Sequence, residues 1–243
     1  MQLNNLKRWF IGIISGVLIF SAAVSGTYRL NEKAVMSINS SPINETVFII
    51  DAGHGGLDGG AVAKDGTVEK DINLSTAMKL RSMMNALGFK TETTRTEDIM
   101  TCNEGLSTLR EKKVSDIRNR LKLLESTEKG VLISIHQNSY PSSTSKGSQV
   151  FYSGGNEQSS VLAGFIQNSL VSMIQTDNHR KIKKAGTSIY LLYHATKPAV
   201  MVECGFMTNP SECEKLKDES YQNELSFGII CGVFEYLKNL EEV

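Results

Sequence analysis

The chain lacks an excess of charge, a paired cysteine motif and a complete nucleotide-binding signature. Its 26 basic and 26 acidic side chains cancel. Neutralising nucleic-acid phosphates needs a basic surface, so no nucleic-acid partner is expected. Cys102, Cys204, Cys213 and Cys231 are widely spaced, with no CxxC. That excludes a zinc knuckle; Cys204 and Cys231 sit in apolar runs and read as buried thiols. Proline is scarce, at four residues against twenty glycines. That balance fits many tight turns and excludes a collagenous or low-complexity chain. There is no GKS or GKT loop, no GxSxG elbow and no HExxH helix. In Gly53-His54-Gly55-Gly56-Leu57-Asp58, Asp58 stands where a dinucleotide fingerprint wants its third glycine.

What is there is a core: 40% of 243 residues are hydrophobic, which excludes disorder. The length fits one domain, or one plus a short appendage. The first thirty residues hold Lys7, Arg8 and Arg29 and no acid, leaving 23 basic against 26 acidic groups in the body. The only polybasic stretch of the body, residues 179–184, reads as a solvated loop. An uncharged apolar run follows Lys7-Arg8, from Trp9 to Val24. As a helix it spans roughly 24 Å, short of the roughly 30 Å hydrocarbon core. With the small residues that follow, it reads as a signal peptide or an uncleaved membrane anchor over residues 1–25. Residues 26–45 read as a polar linker and 46–243 as a single domain. The body is expected outside the cytoplasmic membrane, exported or anchored.

The body alternates strand and helix. Val47–Asp51, Phe89–Thr94, Val131–His136, Ser148–Tyr152, Ser188–Tyr193 and Ala199–Glu203 read as strands. Glu69–Leu87, Ser107–Leu124, Gln158–Ile174 and Glu219–Leu240 carry apolar residues near helical spacing. Several strands are apolar throughout. The expected fold class is therefore α/β, with a mostly parallel sheet and helices on both faces.

Three strands run into polar groups at their carboxyl ends: Val47–Asp51 into Gly53-His54, Val131–Ile135 into His136-Gln137-Asn138, and Ala199–Val202 into Glu203. Ligands of open parallel sheets bind in the crevice beyond such ends. His54, His136 and Glu203 are therefore expected at one edge. Two imidazoles and a carboxylate suit a Zn²⁺ site with an open position. Glu69, directly after the glycine-rich loop, can fold back as a further group. One carboxylate would ligate and the other act as base; spacing leaves open which does which. Asn138 and His194 are candidate substrate residues, and His179 is not expected to ligate.

At these residues the sequence resembles the zinc-dependent N-acetylmuramoyl-L-alanine amidases of the amidase 3 type. The likeness rests on residues 50–56, the helix start Glu69–Leu74, Ser134–Asn138 and Val202–Asn209, in family order. Thr94-Arg95 with Asp98, and Lys197–Val200, also fit. The resemblance implies that His54, Glu69 and His136 hold Zn²⁺ and that Glu203 is the catalytic carboxylate. It implies a peptidoglycan hydrolase that cleaves between N-acetylmuramic acid and the L-alanine of the stem peptide with a zinc-activated water. Within the family, a membrane segment plus a bare catalytic domain is similar to the germination-specific amidases of the spore cortex. That likeness implies a role preparing muramic-δ-lactam formation, N-terminal membrane association and an activating protein partner. Ala52 replaces the family's usual proline, and Cys204 follows the catalytic glutamate, where an exposed thiol would compete for metal. Two other readings remain: a carboxypeptidase-like zinc enzyme on wall peptides, or a non-catalytic wall-binding regulator. The complete set of His54, Glu69, His136 and Glu203 argues against the regulator.

Overall fold

The computed structural model describes residues 45–242. The expected signal or anchor at 1–25 lies outside the described residues, as does the linker at 26–45 apart from its last residue. Among the described residues no helix is long and apolar enough to cross a membrane.

The elements run β1 (Val47–Ala52), α1 (Glu69–Ala86), β2 (Lys90–Thr93), α2 (Leu109–Ser126), β3 (Gly130–Asn138), β4 (Gln149–Tyr152), α3 (Gln158–Met173), β5 (Lys183–Lys184), α4 (Tyr190–His194), β6 (Ala199–Phe206), α5 (Pro210–Lys217) and α6 (Glu219–Glu242). One sheet has the order β2-β1-β3-β6-β4-β5. β2, β1, β3 and β6 are parallel, and β4 pairs with β6 antiparallel.

Helices cover both faces, as the apolar strands require. Ile49, Leu132 and Met201 pack with Leu124 of α2 and with Leu191 and Leu192 of α4. Strand side chains alternate between faces, so Phe48 points the other way. Its ring meets Phe89 edge-on at 5.5 Å, and Phe89 lies 5.1 Å from Phe234 of α6. On that face α6 crosses α3 closely, because a Cβ on Gly232 would come within 2.5 Å of the Ile166 Cα.

Helix ends follow local chemistry. Thr108 and Glu111 form a reciprocal capping box at the start of α2. Gly88, at φ 86°, takes the left-handed turn after α1.

Three segments differ from the sequence reading. Residues 183–184, within the stretch read as a solvated loop, form the exposed edge strand β5 by pairing with β4. Ser188–Tyr193 is not a strand, since Tyr190–His194 forms the short helix α4. Leu191 and Leu192 are both buried, and a strand would turn one of two neighbours away from the α2 face. The segment Pro210–Lys217 forms a helix, α5, to which the sequence reading assigned no element. Its start is a local signal, with the Asn209 side chain accepting from Ser211 and Glu212 N–H and proline at the first turn.

Candidate active site

β1, β3 and β6 are parallel neighbours, so their carboxyl ends share one edge. The register sets Ala52 beside Ile135 and His136 beside Glu203. Gly53 prolongs the β1–β3 ladder through an N–H bond to the Ile135 carbonyl at 3.1 Å. His54 follows it. The loop then returns Glu69, the first residue of α1, to the same place. Glu69 Oε1 lies 3.0 Å from His136 Nδ1, and Oε2 lies 3.3 Å from His54 Nε2. One donor atom from each of the three lies within 4.8 Å of the others.

Missing side chains leave room for this cluster. A Cβ on Gly60 would sit 2.5 Å from Glu69 Oε2 and 2.9 Å from His54 Nε2; one on Gly53 would sit 2.2 Å from His136 Nε2. Beside the cluster, Glu203 Oε2 is buried with no hydrogen-bond partner. Burial pushes the Glu203 carboxyl up to about 7. An orphaned buried oxygen is costly unless something polar meets it. Two imidazoles, one carboxylate, a cradle kept clear by glycine and an unpartnered carboxylate alongside fit a Zn²⁺ ion with an open coordination position.

The side chains of the cluster are themselves held. His54 Nδ1 faces Asp58 Oδ2 at 2.9 Å, and Lys113 Nζ donates to Asp58 Oδ1 at 2.9 Å. A carboxylate behind an imidazole sets its tautomer and orientation. Burial alone would lower the His54 pKa, but Asp58 and Glu69 hold it up at about 9. Burial would likewise raise Glu69, yet His136 and His54 hold it well below the usual carboxylate range. Asn73 donates to Glu69 Oε1 and to the Gly53 carbonyl, each at 3.2 Å, and Ala61 N–H donates to Glu69 Oε2 at 2.8 Å.

His54 has φ 62°, a left-handed conformation unusual for a non-glycine residue. Two buried arginines hold the carbonyls around it. Arg95 Nε and Nη2 donate to the Ala52 and Gly53 carbonyls, both at 3.0 Å. Arg120 Nη1 and Nη2 donate to the Ala52 and His54 carbonyls, both at 2.7 Å. Arg120 also pairs with Asp51 at 2.5 Å and Asp116 at 2.8 Å. Burial would raise Asp51, but Arg120, with Ser134 and Thr94, brings it down to about 2.

A cavity of about 610 Å³ opens from His54, His136 and Glu203 between α2 and residues Ser188–Leu191. Neither Asn138 nor His194 lines it. Asn138 ends β3, and its carbonyl accepts from Met207 N–H at 2.9 Å. His194 is exposed at the end of α4, 4.2 Å from the Tyr190 ring. Cys204 is fully buried, its thiol pushed up to about 12 by burial. It does not compete for metal. Cys231 is half-buried instead of fully buried.

The sequence reading did not single out Asp58, Asn73 or Arg120. Asp58, four residues after His54, was readable only as a failed glycine. Arg120 lies in a helix crowded with Arg and Lys, where pattern alone does not separate a buried guanidinium from a solvated one.

A family described as N-acetylmuramoyl-L-alanine amidase matches residues 48–235. The chain is 35% identical over 197 residues to the germination-specific N-acetylmuramoyl-L-alanine amidase of Bacillus subtilis, covering 81% of this chain and 82% of that protein. It is similar to the CwlD amidase of Clostridioides difficile, solved in complex with the GerS lipoprotein, at 36% identity and a TM-score of 0.76 over 79% of this chain and 98% of that one. An N-acetylmuramoyl-L-alanine amidase from Clostridium difficile 630 matches at 32% identity and a TM-score of 0.68, over 80% of this chain and 98% of that one.

Proposed function

Because the chain belongs to the N-acetylmuramoyl-L-alanine amidase family, we propose that this peptidoglycan amidase works with Zn²⁺ held by His54, Glu69 and His136, and that it serves the spore cortex. The observation that carries the metal reading is the three-donor cluster, facing a cavity beside the unpartnered oxygen of Glu203. When bound, Zn²⁺ supplies a positive charge that polarises the amide carbonyl and makes a nearby water more acidic.

The remaining work falls to this chain's own groups. Glu203 takes a proton from the water as the water oxygen bonds to the lactyl carbonyl carbon. The C–N bond then breaks, and Glu203 passes that proton to the L-alanine nitrogen. The products are a muramic carboxylate and a whole stem peptide with a free amine. A carboxyl held up near neutrality by burial is suited to both halves of this transfer. Asp58 and Asn73 keep His54 and Glu69 in place, and the apolar cavity wall of Val114, Ile117 and Ile189 limits water around the bond.

The cortex role is supported by the 35% identity to the germination-specific relative. Export or anchoring through residues 1–25 and activation by a protein partner belong to the same proposal. The partner is in keeping with the lipoprotein bound to the CwlD amidase.

The test is mass spectrometry of peptidoglycan digested by the purified protein, with zinc or with chelator. Whole stem peptides with a free L-alanine amine are expected, lost on chelation and restored by zinc. Glu203→Ala should retain zinc and lose turnover. Release of a terminal residue alone would replace the amidase reading with a carboxypeptidase. Full activity in chelator would overturn the metal assignment. For the cortex role, the chain should restore muramic-δ-lactam to spores of a strain lacking its own cortex amidase; failure there, with activity intact in vitro, would overturn that part.

A further inference from the structure

The cavity continues past the three donors along α2, and its charges are almost all matched internally. Asp51 and Asp116 are paired to Arg120, and Asp58 is paired to His54 and Lys113. Besides Glu203, whose Oε2 has no hydrogen-bond partner, the exception is Arg118. It lines the same cavity, its side chain is exposed, and among the described residues nothing forms an ion pair or hydrogen bond with it. Its own helix offers no acid at the three- and four-residue spacings where helical side chains meet. Those positions hold Val114, Ser115, Leu121 and Lys122. A guanidinium therefore stands unmatched beside an apolar wall of Val114, Ile117 and Ile189.

Before cleavage, the two sides of the scissile amide differ in charge. The glycan side carries hydroxyl and acetamido groups. The stem peptide carries free carboxylates beyond its L-alanine. A planar guanidinium fork matches a carboxylate with two parallel hydrogen bonds. Next to low-dielectric walls such a contact is stronger than on an open surface. Resting on the amidase reading above, we propose that Arg118 receives the free carboxylate of the residue after L-alanine. The arm of the cavity along α2 then takes the leaving peptide, and the glycan lies toward the opposite end. Arg118 is in this assignment a specificity-determining residue.

The test uses the zinc-loaded full-length protein and two synthetic muramoyl peptides. Both end in a C-terminal amide. They differ only at the residue after L-alanine, whose carboxyl is free in one and amidated in the other. The wild type should favour the free acid by about tenfold in kcat/KM, the scale of one charged hydrogen bond. In Arg118→Ala the preference should fall to near one, with the acid substrate's KM rising more than its kcat falls. Arg118→Lys should keep part of the preference, as a point charge without the fork. An equal preference in wild type and Arg118→Ala would overturn the inference and leave Arg118 a solvated surface arginine. So would a wild type indifferent to amidation. Failure of the wild type to cleave either peptide would count against the amidase reading instead.

Discussion

Replacing Arg120 by Met removes a buried guanidinium while keeping most of the side chain's volume. Arg120 is 2% exposed and Asp51 is 1% exposed. Removing one partner of such a buried pair costs about 3–5 kcal/mol, because the other charge stays buried and unmatched. Part of this loss is specific to pH. In the wild type Asp51 has a folded pKa of about 2, below its ordinary 3.8. A shift of this size contributes about 2–3 kcal/mol. A depressed acid pKa gives stability that is present above about pH 4 and is lost as pH falls toward 2. In Arg120→Met, burial becomes the dominant influence on Asp51 and pushes its folded pKa above the unfolded value. The sign then reverses: the penalty is full above that raised pKa and is relieved as pH falls through it. Urea unfolding at about pH 7.5 and about pH 5.5 should therefore show a loss of about 3–5 kcal/mol at the higher pH and a smaller one at the lower. A loss below about 1 kcal/mol at neutral pH, or one that does not shrink on acidification, would refute the account. Turnover should fall with stability, because the His54 carbonyl loses its donor at 2.7 Å.

Gly60→Ala should weaken zinc binding by more than tenfold in a competition titration, since the new Cβ would meet Glu69 Oε2 at 2.5 Å and the His54 ring at 2.7 Å. Gly66→Ala is the control: its φ of 88° makes it equally strained, but nothing lies within 4 Å. Equal zinc affinity in the two variants would show that the cradle is not shaped by Gly60. Thr108→Ala removes the capping box of α2 and should lower unfolding stability by about 1 kcal/mol; an unchanged urea midpoint would mean that the helix start is held by other contacts.

Some of this protein was readable residue by residue. The apolar runs of β1, β3 and β6 marked buried parallel strands, because only a sheet covered on both faces keeps such runs from water. Each run ended in a group able to ligate or transfer a proton. The rule that parallel sheets bind at their carboxyl edge therefore gathered His54, His136 and Glu203 before any coordinates. The spacing of Ile72, Leu80 and Met84 marked α1, and with it the place of Glu69.

Other features depended on long-range contacts. Whether Tyr190–His194 is helix or strand turned on which face buries Leu191 and Leu192, a question settled by α2 and the sheet beneath. The pairing of His136 with Glu203 came from the β3–β6 register, which no local pattern specifies. Asp58 and Arg120 acquired their roles from partners 55 and 69 residues away, Lys113 and Asp51. Periodicity reports only neighbours along one element. The sequence by itself determined the layered fold and the edge where the chemistry gathers. Tertiary structure alone decided which charges are neutralised from within and which, like Arg118, are left facing the cavity, because that balance depends on distances between elements.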